Sequence, residues 1–273
     1  MAAERKPIGG ATRLAGVIGW PVDHSRSPRM HNAAFAELGM DWAYVAMPVA
    51  PERLEAALRG VAALGFAGVN VTIPHKQATA RLCDELSATA TRAGSVNTVL
   101  VGGDGLLRGE TTDGQGMLDA IGELPDGPAL VLGAGGAARA SALALRDAGA
   151  AVIVAARRAD AAAALAEELG VDAAPWPPES SPGLVVNATP VGQAGAAGEL
   201  PVPEALLDAA EVVCDLAYRG DGAETGLVAA ARARGILAVD GLDVLVGQGA
   251  IAFRLLTGLP APVEVMQAAV RQG

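Results

Sequence analysis

Apolar and polar positions along this chain alternate between two rhythms. Short apolar runs suited to buried strands are followed by longer stretches whose apolar positions recur at helical spacing. Residues 14–20 read as a strand. Residues 28–38 read as a helix with Pro28 in its first turn, where a missing N–H costs nothing. Residues 42–49 read as a strand, 51–64 as a helix and 66–71 as a strand, and Pro74 starts a further helix with Lys76 in its first turn. The runs 96–101 and 106–110, joined by Gly102-Gly103-Asp104-Gly105, read as a hairpin. A second series starts near Asp113 with a connecting helix over 114–124. Its strands fall at 129–132, 151–155, 184–187, 212–216 and 236–239, with helices up to Asp147, over 160–169 and ending near Arg234. The last segments, 242–257 and 262–271, are helices with no strand, of the kind that packs back onto the first unit. Strands alternating with helices imply a mostly parallel sheet covered on both faces, so the fold class is α/β in two units. The Gly- and Pro-rich stretch 190–203 reads as a mobile loop, and the polar residues 1–10 as a mobile start.

Composition narrows the function classes. The 273 residues are 51% hydrophobic but only 3% aromatic, so a sizeable core is filled by Ala, Val and Leu. A net charge of −10 argues against nucleic acid, whose binding rests on neutralising phosphates. It leaves room for a small anion held by a few placed Arg or Lys residues. Cys83 and Cys214 lie far apart without metal-ligand spacing, which implies core thiols in a reducing compartment. No stretch holds the ~20 apolar residues of a membrane span, and no apolar signal core opens the chain. The expected setting is the cytoplasm, without membrane or nucleic-acid partners. His24 and His31 have no third ligand partner in the sequence and read as structural, and no metal is expected.

Among twenty basic residues only Lys6 and Lys76 are Lys. Arg keeps its proton at any usable pH, whereas a Lys amine can release one when its surroundings lower its pKa. A Lys within Asn70-Val71-Thr72-Ile73-Pro74-His75-Lys76 therefore reads as an exchangeable proton or as a solvated helix start. Asn70, Thr72 and Lys76 fall where the third strand ends, and ligands of open α/β sheets collect at such ends. Ser25 and Ser27 flank a turn before a helix, suited to capping it or to holding a carboxylate. Asn97 offers a further amide. Asp113 opens the second unit, either as a helix cap or as the carboxylate partner of Lys76 in a cleft between the units.

Gly133-Ala134-Gly135-Gly136-Ala137-Ala138 lies between a strand and a helix and fits the dinucleotide fingerprint. Gly133 allows the tight turn, Gly135 lets the backbone approach a pyrophosphate, and Ala138 permits close helix–strand packing. The next strand ends in Ala155-Ala156-Arg157-Arg158, with no acid to bind ribose hydroxyls. Two guanidinium groups suit a 2′-phosphate and hence NADP, the alternative being a solvated pair at a helix start.

Together these motifs resemble the shikimate dehydrogenases of the shikimate/quinate dehydrogenase family. The resemblance continues through Asn187-Ala188-Thr189-Pro190-Val191-Gly192 and Tyr218 to the run from Asp240 to Gln248. It implies NADPH-dependent, reversible reduction of 3-dehydroshikimate to shikimate, in chorismate and aromatic amino-acid biosynthesis. It implies a substrate domain of residues 1–112 and 242–273 and a Rossmann-type NADP domain of residues 113–241. By the same resemblance Ser25 and Ser27 hold the substrate carboxylate, while Asn70, Thr72, Asn97, Tyr218 and Gln248 bind its other parts. Lys76 and Asp113 match the catalytic pair. Gly133, Ala134, Gly135, Gly136, Ala137, Arg157, Arg158, Thr189, Leu216 and Gly241 match cofactor contacts. Departures are Ala156 and Arg158 beside the adenine phosphate, a longer segment from Tyr218 to Thr225, and Val244 where Met is frequent. The expected partner is the small-molecule substrate, and the working unit is a monomer or homodimer. Two alternatives remain at this point: an NAD-linked quinate/shikimate dehydrogenase, and a nucleotide-binding regulator of the same fold without turnover.

Overall fold

The computed structural model describes residues 6–179, 182–193 and 198–272. Parts of the expected mobile start and loop, residues 1–5 and 194–197, lie outside them. Chain contacts divide the molecule into two compact units, Met1–Thr112 with Gln248–Gly273, and Asp113–Gly247. The second boundary falls inside a helix, six positions beyond the break expected at 241/242.

The first unit contains β1 (Arg13–Gly19), α1 (Ser27–Glu37), β2 (Trp42–Pro48), α2 (Leu54–Ala63), β3 (Gly68–Val71), α3 (Lys76–Leu82), β4 (Glu85–Leu86), α4 (Ala88–Ala93), β5 (Thr98–Val101) and β6 (Leu107–Glu110). Its six-stranded sheet runs β2-β1-β3-β5-β6-β4. β1 is parallel to β2 and β3, whereas β5 is antiparallel to both β3 and β6. The sheet is mixed because β5 enters antiparallel to β3, and the expected hairpin then turns β6 back at Gly102–Gly105, where Gly105 adopts φ +79° and its N–H returns to Gly102 O. All four residues of β3, Gly68-Val69-Asn70-Val71, are buried, so both faces of the strand are covered and Asn70 is a polar side chain inside the sheet. Val69, Val71, Val99 and Leu107 pack there with Leu54, Leu58 and Val61 of α2.

The second unit contains α5 (Asp113–Ile121), β7 (Ala129–Leu132), α6 (Gly136–Asp147), β8 (Val152–Ala155), α7 (Ala159–Leu169), β9 (Asp172–Ala174), β10 (Leu184–Asn187), β11 (Val212–Asp215), α8 (Gly226–Ala233) and β12 (Leu237–Val239). Its strands are all parallel, in the order β12-β11-β10-β7-β8-β9. That is a doubly wound sheet whose order reverses between β7 and β10, the crevice where such folds hold a dinucleotide. Leu130, Leu132, Val185, Val213 and Leu227 belong to its core.

Two helices complete the chain, α9 (Gly241–Thr257) and α10 (Val263–Arg271). α10 packs against α1. The Arg26 guanidinium donates to Val270 O and that of Arg29 to Gln272 O at 2.6 Å, so two side chains of the α1 turn hold the end of α10. These carbonyls are the ones a helix terminus leaves without an internal donor.

Candidate functional site

In the first unit three of the expected substrate residues, Asn70 in β3, Asn97 just before β5 and Gln248 in α9, meet through their side chains. The Asn70 side chain, nearly buried in β3, accepts from Tyr44 Oη at 2.7 Å and donates to Thr98 Oγ1 at 3.0 Å and Asn97 O at 3.2 Å. Asn97 Oδ1 accepts from Thr112 N at 2.8 Å, and its Nδ2 donates to Thr112 Oγ1 at 2.9 Å and Gln248 Oε1 at 3.3 Å. Asn70, Asn97 and Gln248 therefore belong to one network, which fixes the orientation of both Asn amides. Tyr44, Thr98 and Thr112 were not singled out from sequence. The register that pairs Asn70 with Thr98 across β3 and β5 brings them together.

Ser25 stands in the turn between β1 and α1, and Ser27 is the first residue of α1. Ser25 Oγ accepts from Ser27 N at 3.3 Å across the turn, but the N-cap position is Arg26 and no side chain caps α1, so the capping role considered for the serines is not taken up; Ser27 is buried. Past the end of β3, Thr72 N donates to Ile18 O at 2.9 Å and Trp20 N to Ile73 O at 3.1 Å, tying this loop to the end of β1. Lys76 opens α3, half-buried, and its carbonyl accepts from Val96 N at 3.0 Å. His75 just before it is buried and holds Val49 O at 2.7 Å through Nε2. His31 is fully buried and stacks on Tyr44 with ring centroids 4.3 Å apart. Its ring nitrogens find no hydrogen-bond partner, and burial lowers its pKa to about 3.

In the second unit Asp113 opens α5, half-buried. The loop Gly133-Ala134-Gly135-Gly136-Ala137 runs from β7 into α6. Gly133 has φ +114°, and a Cβ there would lie 3.0 Å from Ala188 O, so packing and backbone both require glycine. Gly135 differs, because a Cβ there would meet nothing within 4 Å. No intramolecular contact demands glycine at that position. The open space at the α6 N-terminus is the room a pyrophosphate needs, so the loop fits a dinucleotide. At the tip of β8, Ala156 is buried while Arg157 and Arg158 are exposed, and no acid stands between them and the strand. Gly241 is buried, and a Cβ there would run into the Ala217 carbonyl. Leu216 and Tyr218 are half-buried on the segment after β11.

A second polar network joins the ends of β10 and β11. Asp215, fully buried, accepts at Oδ1 from Asn187 Nδ2 at 2.8 Å and Ala217 N at 3.0 Å, and at Oδ2 from Thr225 Oγ1 at 2.6 Å. Asn187 Oδ1 accepts from Thr189 N at 3.0 Å and Thr189 Oγ1 at 2.7 Å. Burial pushes the Asp215 carboxyl up to about 6 against these hydrogen bonds, which favour the ionised form, and Asp240 adds to the rise. Burial also raises the neighbouring Cys214 thiol. Asp215 and Thr225 were not singled out from sequence, although an Asp ending an apolar strand was a legible signal.

The structure thus assigns Ser25, Ser27, Asn70, Thr72, Lys76, Asn97 and Gln248 to the first unit. Asp113, Tyr218, the glycine loop, Arg157, Arg158, Thr189, Leu216 and Gly241 belong to the second. Among the described residues no group of three or more His, Cys, Asp and Glu is placed to hold a metal ion, and no helix is long and apolar enough to cross a membrane.

Residues 17–99 match the family model described as the shikimate dehydrogenase substrate binding domain. Residues 241–271 match the shikimate 5'-dehydrogenase C-terminal domain. The chain is 47% identical to a shikimate dehydrogenase (NADP(+)) of Rubrobacter xylanophilus, over 96% of this chain and 97% of that one. It is 48% identical to the protein of that name from Anaeromyxobacter dehalogenans, over the same shares of the two chains, 96% and 97%. The fold is similar to the crystal structure of shikimate 5-dehydrogenase from Thermus thermophilus in complex with NADP(H) and shikimate. The TM-score is 0.87 and the identity 42%, over 95% of this chain and 99% of that one.

Proposed function

The chain belongs to the shikimate dehydrogenase family, and from that premise we infer that it catalyses the reversible, NADP-dependent reduction of 3-dehydroshikimate to shikimate. What carries the reading is likeness along nearly the whole chain, in sequence and in fold, to enzymes named for that activity. We further infer a cytoplasmic setting, a role in chorismate and aromatic amino-acid biosynthesis, and a monomer or homodimer as the working unit.

The nicotinamide cofactor, when bound, supplies or takes up the hydride. Negative charge grows on the ketone oxygen as the carbonyl carbon is reduced, and Lys76 stabilises that charge and delivers the proton. Asp113 orients the Lys76 ammonium or accepts a substrate hydroxyl. Ser25 and Ser27 hold the substrate carboxylate, while Asn70, Thr72, Asn97, Tyr218 and Gln248 bind its remaining polar groups. The polar network that brings Asn70, Asn97 and Gln248 together supports placing these three at one site. The glycine loop from Gly133 to Ala137 cradles the pyrophosphate, Arg157 and Arg158 grip the 2′-phosphate, and Thr189, Leu216 and Gly241 line the rest of the cofactor.

The test mixes purified protein with shikimate or quinate and with NADP or NAD, and follows reduced cofactor by absorbance. Turnover is expected with shikimate and NADP, and slower turnover with NAD. Replacing Arg157 and Arg158 by Ala should raise KM for NADP far more than KM for NAD. Equal rises remove the phosphate assignment, and a preference for quinate with NAD removes the substrate and cofactor assignments together.

A further inference from the structure

We propose that Asp215 is a positioning residue for the cofactor half of the reaction, its carboxylate fixing the two segments, 188–193 and 216–225, that carry Thr189 and Leu216. The inference rests on the reading of Thr189 and Leu216 as cofactor contacts.

Asp215 is the last residue of β11, and Asn187 occupies the same level at the end of neighbouring β10, its register partner. The carboxylate determines which way the Asn187 amide faces. Asn187 Nδ2 is committed to Asp215 Oδ1 at 2.8 Å and Val191 O at 3.1 Å, which leaves Oδ1 turned toward Thr189 N and Thr189 Oγ1. Reversing that amide would set a donor against the Thr189 amide and an acceptor against a carboxylate, so one orientation survives. On the other side, Asp215 Oδ1 takes Ala217 N, and Leu216 N donates to Asn187 O at 2.9 Å. Asp215 Oδ2 takes the Thr225 hydroxyl, which caps α8 by accepting from Val228 N at 3.3 Å. Gly192 is drawn into the same packing, since a Cβ there would lie 3.2 Å from Thr225 Cβ. A single buried carboxylate thus reaches the start of both loops and the first turn of a helix.

An apolar residue would fill this place without the cost of burying a charge. The carboxylate instead orders backbone at the C-terminal edge of the sheet, one strand from the β7/β10 switch point where this topology binds its ligand. The Asp215 charge therefore acts on loop geometry, and through it on where Thr189 and Leu216 stand.

Thr225→Val tests this, since it keeps the side-chain shape but removes the donor to Oδ2, together with the cap on Val228 N that Asp215→Asn leaves in place. Losing one buried charge-assisted hydrogen bond is expected to raise KM for NADP about tenfold, with kcat and KM for shikimate within about twofold. Hydrogen exchange at the Thr189 and Ala217 amides should quicken, and Thr225→Ser should restore both readouts. Asp215→Asn, which keeps shape and one acceptor oxygen, is the second variant, and a smaller rise of about threefold is expected. If Thr225→Val matches the parent in KM for NADP while Thr189→Ala raises it, the positioning role falls and the cofactor reading stands. If Thr189→Ala leaves KM for NADP unchanged, that reading falls and the proposal with it. Equal rises in KM for both substrates mark general loosening and also overturn it.

Discussion

Lys76 is one of two lysines among eighteen arginines in the same chain, and in the proposed reaction its ammonium delivers a proton that a guanidinium would keep. The sharpest test at this scale is Lys76→Arg, which keeps the charge that stabilises the growing oxyanion but cannot supply its proton. With general-acid catalysis contributing about 10²–10⁴-fold, kcat is expected to fall by that factor, with KM for shikimate changing far less. An arginine variant with parental kcat would remove Lys76 from proton transfer. Candidates of this kind stand out in the sequence because their chemistry is unusual for their surroundings: one of only two Lys, paired Ser before a helix, Asn and Thr where an apolar run ends. Their supports do not. Tyr44 lies 26 residues from the Asn70 it orients, and no local pattern announces that pairing. Asn70 meets Thr98 only through strand register, which an apolar run does not specify when both of its faces are buried.

Elements were legible in proportion to their length and burial. β7 and β10 occupy the positions read from their apolar runs, and α1 starts one residue before its expected start. β4 and β9, of two and three residues, are too short for any periodicity to show. α4 was missed although its signals were present: Ser87 caps it by accepting from Ala90 N, and Gly94 ends it at φ +56°. Close helix packing depends on small residues that composition alone made inconspicuous. α5 lies against α6 so tightly that a Cβ on Gly114 would sit 2.5 Å from Ala140 O and 2.7 Å from Ala144 Cβ. Gly114→Ala must therefore push α5 away, and with it Asp113, the residue before. The expected cost is about 1–3 kcal/mol in chemical denaturation, accompanied by reduced kcat. Parental stability in that variant would show that α5 has room the structure denies it.

At the scale of the molecule, two buried groups titrate in opposite senses. His31, with its pKa lowered to about 3, stays neutral in the folded chain while the unfolded chain takes up a proton below 6.5, so it withdraws stability as pH falls from 6.5 to about 3. Asp215, raised to about 6, carries a proton that the unfolded chain releases above 3.8. Its contribution is full below 3.8 and is lost as pH rises through 6. Between pH ~4 and ~6 the two slopes, each about 1.4 kcal/mol per pH unit at full strength, oppose one another. The parent's unfolding free energy should therefore lose little to these groups across that range. Asp215→Asn should lose stability steadily on acidification, and His31→Phe should gain it. Parallel curves for the three proteins in urea titrations would contradict both assignments. The order of the units along the chain carries one more consequence. The second is a continuous stretch of sequence, while the first must wait for α10, whose end is held by Arg26 and Arg29 from the opposite end of the chain. On a ribosome the second unit can thus mature before the first, and α1 keeps an uncovered flank until α10 has been made.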